Sequence, residues 1–361
     1  MDAPLLSIHS QSHPYDVREA PTFRAALQRA ASSSVPQDTF YLLDARVAQL
    51  YASDIEELTL PSRRLAIAAS EEAKSYEQLG EVFGAILRAG FRRNSHLVVV
   101  GGGVLQDIGC FVASVLMRGV RWSLLPTTLL AQCDSCIGSK SSLNVAGFKN
   151  QLGTFYAPHE VVLAPSVLRT LPRDDVRSGL GEAIKLHLIA GEDALGRLKD
   201  ELALLETDAD ALRRLIVSSL LIKKPFIEED EFDRARRKLL NYGHTFAHAF
   251  ESATNYEIPH GIAVTLGVLS ATWMSWQLGL VEESHFQELL VWLRPFYTPF
   301  ERKLAIAEAS RIEAVMKLDK KNENAGATFV LTRGPGKMEL VTIEREKVAP
   351  LMEDLMQMWS V

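Results

Sequence analysis

The sequence predicts an α/β N-terminal nucleotide-binding domain over residues 1–170, joined to a mostly α-helical C-terminal metal- and substrate-binding domain over residues 171–361. Three observations carry that expectation. Up to about residue 170, short apolar runs ending in glycine or turn residues alternate with helical patterns, whereas beyond Leu171 the pattern is almost wholly helical. The run Gly101-Gly102-Gly103 follows a buried-strand pattern and opens a helical one. His244 and His248 stand four residues apart, a spacing that puts two side chains on one helix face.

Thr39–Asp44 and the run from Arg64 read as strands. Residues 76–89 have helical periodicity, with Leu79, Val82, Phe83 and Ile86 on one face. His96–Val100 is a buried strand that stops at the glycine run, a helix then passes through Ile108 and Phe111, and Trp122–Pro126 is the next strand. Past Leu171 the exceptions to helix are Ala327–Leu331 and Met338–Val341, which read as a late hairpin. Residues 261–281 carry no charged side chain, a length that could span a bilayer. Their serines, threonines and three glycines favour a buried helix instead, so no membrane association is expected.

Composition excludes several function classes. The chain has 361 residues, 47% of them hydrophobic and 23% charged, as in ordinary globular enzymes. A net charge of −6 without a long basic run gives no nucleic-acid footprint. The N-terminus shows no basic region followed by an apolar core, and Cys110, Cys133 and Cys136 are an odd, low cysteine count. Both features point to a reducing cytoplasm and away from a disulfide scaffold.

The stretch Asn241-Tyr-Gly-His244-Thr-Phe-Ala-His248-Ala-Phe-Glu251, followed by His260-Gly261, has the makings of a metal site. Asn241 would share the face of His244 and His248 on an unbroken helix, although Gly243 lies between them. Imidazoles suit zinc and its neighbours, and Glu182 in Gly179-Leu-Gly-Glu182-Ala-Ile-Lys185 offers a third ligand. His-x-x-x-His pairs are more often surface or core histidines. A metalloprotease is excluded, because Thr245 stands where its glutamate base would be. The glycine run aims backbone amides from a helix N-terminus, a cradle for phosphate, but it is not the Gly-x-Gly-x-x-Gly fingerprint and could equally be a tight turn. Lysines in the loop between Pro126 and Asn150 suit a phosphorylated or carboxylated ligand, or a solvated surface. Cys133-x-x-Cys136 lacks the helix N-terminus of a thioredoxin-type redox pair.

Together these clusters resemble one family. Gly-Gly-Gly-Val104-x-x-Asp107, Met117-Arg118-Gly119, Pro126-Thr-Thr-Leu-Leu-Ala-Gln-x-Asp134, Lys149-Asn150, Gly-x-Gly-Glu182-x-x-Lys185, Leu240-Asn-x-Gly-His244-Thr-x-x-His248 and His260-Gly-x-Ala-Val are similar to the motifs of the 3-dehydroquinate synthase family and, more broadly, of the sugar phosphate cyclases. The match runs in order from about residue 40 to about residue 340.

The resemblance implies a dehydroquinate synthase-like fold and a role for each matching residue. Glu182, His244 and His260 match the family's ligands for Zn2+ or Co2+. Asp44, Glu71, Lys74, Gly102, Gly103, Val104, Asp107, Thr127, Thr128, Leu130, Thr170 and Leu171 fall where the family holds NAD. Arg118, Asp134, Lys140, Lys149, Asn150, Lys185, Lys223, Arg237, Asn241, His248 and Lys320 match positions of the sugar phosphate pocket. Arg118 would reach a partner subunit's site, which implies a homodimer. The implied reaction is cyclisation of 3-deoxy-D-arabino-heptulosonate 7-phosphate to 3-dehydroquinate with loss of phosphate.

The substrate carboxylate separates the branches of the family. Arg237, Lys223, Asn241 and His248 keep the dehydroquinate synthase pattern, whereas the loop Gly138-Ser-Lys140-Ser-Ser-Leu-Asn144-Val-Ala and Arg46 depart from it. A guanidinium left unpaired in a closed pocket is costly, so Arg237 favours the carboxylated substrate. Closure of sedoheptulose 7-phosphate, net polyol dehydrogenation and a catalytically inactive binding module stand as alternatives.

Overall fold

The computed structural model describes residues 3–208, 210–306 and 326–360. The chain forms two compact units, Met1–Leu171 with Lys224–Phe232, and Pro172–Lys223 with Asp233–Val361.

The first unit is built on a seven-stranded sheet of order β1-β2-β9-β6-β5-β3-β4. Its strands are β1 (Leu6–His9), β2 (Pro14–Glu19), β3 (Thr39–Asp44), β4 (Arg64–Ile67), β5 (His96–Gly101), β6 (Arg121–Pro126) and β9 (Glu160–Leu163), with β7 (Leu143–Val145) and β8 (Phe148–Leu152) forming a separate hairpin. Only the β1–β2 pair of the large sheet is antiparallel. Strands buried on both faces need apolar side chains at every position, which is why β5 reads as a continuous hydrophobic run and is buried throughout.

Helices α1 (Phe23–Ala31), α2 (Ala45–Leu50), α3 (Ala52–Leu58), α4 (Leu79–Arg88) and α5 (Gly103–Val115) complete this unit. From β3 the chain moves outward to β4, then returns past β3 to β5 and continues to β6. The direction of winding therefore reverses between β3 and β5. In open parallel sheets, ligands bind at the carboxyl ends of the strands where that reversal occurs. Asp44 and Gly101 end those two strands, and a Cβ on Gly101 would lie 3.4 Å from the Asp44 Cβ.

The expected strands and helices of this unit are present. The β1–β2 hairpin was not expected, nor the β7–β8 hairpin, which occupies the segment read as a lysine-bearing loop. Cys133 lies within a π-helical turn, Ala131–Ser135, and Cys136 directly follows it; all three cysteines are buried thiols outside any disulfide.

Among its described residues the second unit is mainly helical, with one hairpin of β10 (Gly326–Thr332) and β11 (Met338–Glu344). Its helices are α6 (Arg173–Ala190), α7 (Glu192–Leu204), α8 (Ala211–Glu229, whose last turns group with the first unit), α9 (His244–Ala253), α10 (His260–Gln277), α11 (Glu283–Tyr297) and α12 (Glu301–Ile306), with a C-terminal helix, Arg345–Ser360. Helix α10 is buried from Gly261 to Ser275 and packs against α6, α9 and α11. A helix that is apolar all round is a core helix or a membrane span. Here it is the core helix, and among the described residues no helix is long and apolar enough to cross a membrane.

Glycine permits the closest contacts of this core. A Cβ on Gly181 of α6 would lie 2.0 Å from the Gly261 carbonyl oxygen, and one on Gly261 would lie 1.7 Å from that of Ser178. Gly243 and Gly267 meet in the same way, a Cβ on Gly267 falling 2.1 Å from the Gly243 carbonyl oxygen. Gly181, Gly243 and Gly261 are the chain neighbours of Glu182, His244 and His260. Close backbone approach is thus what brings the three side chains to one place.

Candidate functional site

In the helical unit, Glu182 comes from α6, His244 from the first turn of α9 and His260 from the first turn of α10. Glu182 Oε1 lies 3.5 Å from His244 Nε2 and 3.2 Å from His260 Nε2, while Oε2 faces Lys185 Nζ at 2.6 Å. The carboxylate is 1% exposed and the lysine 2%. One ligand atom from each of Glu182, His244 and His260 falls within a 4.8 Å group.

The other ring nitrogens are engaged. His260 Nδ1 donates to Glu251 Oε1 at 3.2 Å, and His244 Nδ1 lies 3.4 Å from the Tyr242 carbonyl oxygen. Such partners fix the tautomer of a metal-binding histidine and turn its free nitrogen toward the ion. Two imidazoles and one carboxylate with an open side are the donor set of a catalytic zinc. The residues present therefore fit a divalent cation.

Electrostatics agree with the geometry. Burial raises the Glu182 pKa, but the charges of Lys185 and His244 outweigh it and hold the carboxyl well below the usual range. Burial lowers His260, yet hydrogen bonds to Glu182 and Glu251 and their charges bring it up to about 10. Burial and the Lys185 ammonium lower His244. The field of the two carboxylates thus calls for positive charge beside His260, and a divalent cation supplies it without a proton.

His248 is exposed one turn beyond His244, its ring centre 5.6 Å from that of His244 and 6.1 Å from that of His260. Asn241 does not share this helix. It ends a 3-10 turn, Arg236–Asn241, and Gly243 at φ +79° breaks the chain before α9 begins at His244. A left-handed residue cannot continue a right-handed helix, so the common face holds for His244 and His248 and fails for Asn241. Arg237 on that turn and Lys223 on α8 are buried, at 7% and 6% exposure.

Glu251 was not expected to matter. Its signal was available, since Glu251 follows His248 by three residues on α9 and so shares its face. Glu251→Gln keeps the shape but removes the charge that orients His260. Metal affinity measured by competition with a chelator should fall about 10- to 100-fold, as is usual for an outer partner of a metal-bound histidine; unchanged affinity would show that His260 is oriented otherwise.

In the α/β unit, the glycine run forms the start of α5. A Cβ on Gly102 would meet Thr128 Cγ2 at 2.7 Å, whereas one on Gly103 would meet nothing within 4 Å. The turn after β6 packs against this glycine run, with Thr127 N donating to the Gly101 carbonyl oxygen at 3.0 Å and Thr128 Oγ1 accepting from Ala131 N at 3.2 Å. Asp44 caps α2, accepting from Arg46 N at 2.8 Å. A first helical turn with open space at Gly103, placed at the winding reversal, suits a pyrophosphate.

Beside it the structure joins five of the expected residues in one network. Lys74 Nζ pairs with Asp107 Oδ2 at 2.6 Å and donates to Asn150 Oδ1 at 3.2 Å, and Lys149 Nζ pairs with Glu71 Oε1 at 3.0 Å. Burial raises the Asp107 pKa against the pull of Lys74. Val104 and Leu130 are half-buried, Asp134 is half-buried on the π-helical turn, and Lys140 is exposed with its Nζ 6.0 Å from the Phe155 ring centre. Thr170 is exposed and Leu171 half-buried, and the Thr170 hydroxyl donates to the Val167 carbonyl. Arg118 is exposed on a turn where Met117 and Arg118 both adopt left-handed φ, 51° and 66°. Lys320 lies outside the described residues.

A parallel sheet with a nucleotide-type cradle, followed by a helical unit with a carboxylate–imidazole cluster, is an architecture that sugar phosphate cyclases share with glycerol dehydrogenases. Residues 64–178 match the family model for the N-terminal domain of 3-dehydroquinate synthase, and residues 179–322 match that for its C-terminal domain. The chain belongs to the 3-dehydroquinate synthase family. It is 37% identical over 300 residues to the 3-dehydroquinate synthase of Acidithiobacillus ferrooxidans, covering 81% of this chain and 82% of that one. Among solved structures it is similar to 2-epi-5-epi-valiolone synthase from Streptomyces hygroscopicus subsp. jinggangensis, solved with NAD+ and Zn2+, at a TM-score of 0.82 and 25% identity, covering 96% of each chain. It shares its fold with a 2-deoxy-scyllo-inosose synthase solved with carbaglucose-6-phosphate, NAD+ and Co2+, at a TM-score of 0.80 and 20% identity, covering 97% of this chain and 99% of that one.

Proposed function

We propose that the protein closes 3-deoxy-D-arabino-heptulosonate 7-phosphate to 3-dehydroquinate with elimination of phosphate. The observation that carries this reading is the buried cluster of Glu182, His244 and His260, backed by Lys185, in a chain 37% identical to a 3-dehydroquinate synthase over 81% of its length. Those three residues are assigned a Zn2+ or Co2+ ion, which when bound polarises a ring hydroxyl and favours its deprotonation. The cradle at Asp44, Gly102, Gly103, Thr127 and Thr128 and the neighbouring Glu71, Lys74 and Asp107 are assigned NAD+, which would supply a reversible hydride acceptor there. Val104, Leu130, Thr170 and Leu171 complete that assignment.

The chain's own groups bind and orient. Lys185 neutralises Glu182 in the core, so the carboxylate keeps its charge away from water. Lys140, Lys149, Asn150 and Lys320 are assigned the sugar phosphate together with Asp134, Asn241 and His248. Fixed cations hold phosphate and carboxylate without consuming protons. Holding one substrate through several steps makes positioning a large part of catalysis. The exposed, left-handed turn at Arg118 suits a residue offered to a partner subunit, so a homodimer is part of the reading, as is the cytoplasm, where cysteines persist as thiols.

Arg237 and Lys223 are assigned the substrate carboxylate. The test is to offer heptulosonate 7-phosphate, sedoheptulose 7-phosphate and glucose 6-phosphate and to identify the carbocycle. 3-Dehydroquinate from the first is expected, and a valiolone from the second as main product would overturn the reading. Arg237→Ala should cost about 2–5 kcal/mol on the carboxylated substrate, the range for truncating one member of a buried charge pair, which is roughly 30-fold or more in kcat/KM. An equal loss on an uncarboxylated sugar phosphate would remove Arg237 from that role.

A further inference from the structure

Asn144 belongs to neither set of assigned residues, yet it joins the two. It stands on β7, is 9% exposed, and uses its side chain in both directions. Its Nδ2 donates to Glu71 Oε1 at 2.8 Å and to the Glu71 carbonyl oxygen at 3.3 Å, while its Oδ1 accepts from Asn150 N at 3.0 Å. Its backbone N donates to the Lys74 carbonyl oxygen at 3.0 Å, and it bridges to Ser75 in the parallel sense. One amide thus ties the turn that carries Glu71 and Lys74 to the hairpin that carries Lys149 and Asn150.

Other contacts close the same connection. Ser142, just before β7, donates its N–H to Asp107 Oδ1 at 3.1 Å and its hydroxyl to Asn150 Oδ1. Ala146 N donates to Glu77 Oε1 at 3.0 Å. Asn150 has φ +55°, a left-handed backbone that a side chain disfavours, and the Asn144 amide oxygen holds its N–H there. Glu71 is shared between the Asn144 amide and the Lys149 ammonium. A ligand that engages Glu71 would compete with the Lys149 ammonium for that carboxylate.

We propose that Asn144 is a positioning residue that couples occupation of the nucleotide cradle to the arrangement of Lys149 and Asn150 toward the sugar phosphate. The proposal rests on the assignment of NAD+ and substrate made above. Coupling between two sites is a ratio of affinities and is reciprocal, so it can be read apart from turnover.

The experiment titrates NAD+ calorimetrically into the full-length, metal-loaded protein, with and without saturating inorganic phosphate. Wild type should bind NAD+ about tenfold more tightly with phosphate present, within the usual range of coupling. In Asn144→Ala both ligands should bind more weakly and the ratio should fall to about one, with KM for the sugar phosphate raised more than kcat is lowered. A merely structural role would lower the melting temperature and the active fraction but leave the ratio intact. Asn144→Asp keeps the acceptor for Asn150 and sets a carboxylate against Glu71, so it should lose more NAD+ affinity than phosphate affinity; the reverse order would overturn the proposal. An unchanged ratio in Asn144→Ala overturns it alone. Wild type that binds no NAD+ and releases no phosphate from the heptulosonate overturns the functional assignment and this proposal with it.

Discussion

Replacing His260 with alanine is expected to leave the protein without its metal and without turnover. Glu182 Oε1 is the point on which both imidazoles converge, at 3.5 Å from His244 and 3.2 Å from His260. Without His260 the cluster keeps one carboxylate and one imidazole, and a catalytic zinc is held by three protein ligands. The substitution also removes the hydrogen bond between His260 Nδ1 and Glu251. The loss in metal affinity should exceed the roughly 10- to 100-fold expected when only an outer partner is removed, so Glu251→Gln and His260→Ala form a graded pair. Metal content after dialysis, by atomic emission, and phosphate release from the heptulosonate are the two readouts. Phosphate release that survives in His260→Ala in the presence of a strong chelator would sink the metal assignment. Because the α10 core is buried from Gly261 onward and His260 itself is partly exposed, the variant should remain folded.

How much of this was legible beforehand depended on what stabilises each part. Strand β5 could be read directly, because a parallel strand covered on both faces must be apolar at each position, and the glycines after it marked the turn into α5. The β1–β2 hairpin could not: β1 has four residues, and β2 includes Pro14, Asp16, Arg18 and Glu19. The β7–β8 hairpin was hidden for another reason. Its Phe148-Lys-Asn-Gln-Leu strand is mostly exposed, and it is held by side chains from residues 71–77 and by Asp107, which no local pattern reveals. The histidine pair was legible from spacing, and the helix break before it from Gly243. Glu182 was nameable as a donor, but its partnership with His260 depends on two helices meeting through glycine. Glu251 was overlooked because its meaning lies in His260, which approaches from α10.

That meeting of helices makes a prediction of its own. Gly261→Ala should destabilise the helical unit and weaken metal binding together, because the new methyl group would run into the backbone of Ser178 on α6. Its Cβ would sit 1.7 Å from the Ser178 carbonyl oxygen and 2.5 Å from the Ser178 carbonyl carbon, and neither can swing aside as a side chain could. Helices α6 and α10 would have to part, which also loosens the 2.9 Å bond from Gly261 N to Ser178 Oγ. Overpacking a tight core costs about 1–3 kcal/mol and occasionally more, and a backbone obstacle puts this case at about 3 kcal/mol. For a unit of this size that is a fall in melting temperature of roughly 6–12 °C. As His260 precedes Gly261 and Glu182 lies one turn beyond Ser178, parting the helices separates the carboxylate from the imidazole. Gly196 on α7 supplies the opposite sign. A Cβ there meets nothing within 4 Å, so Gly196→Ala gains helix propensity of about 0.5–1 kcal/mol and should raise the melting temperature with metal affinity unchanged. Should Gly261→Ala melt like wild type and hold its metal as tightly, the close contact of α6 and α10 is not what assembles the cluster.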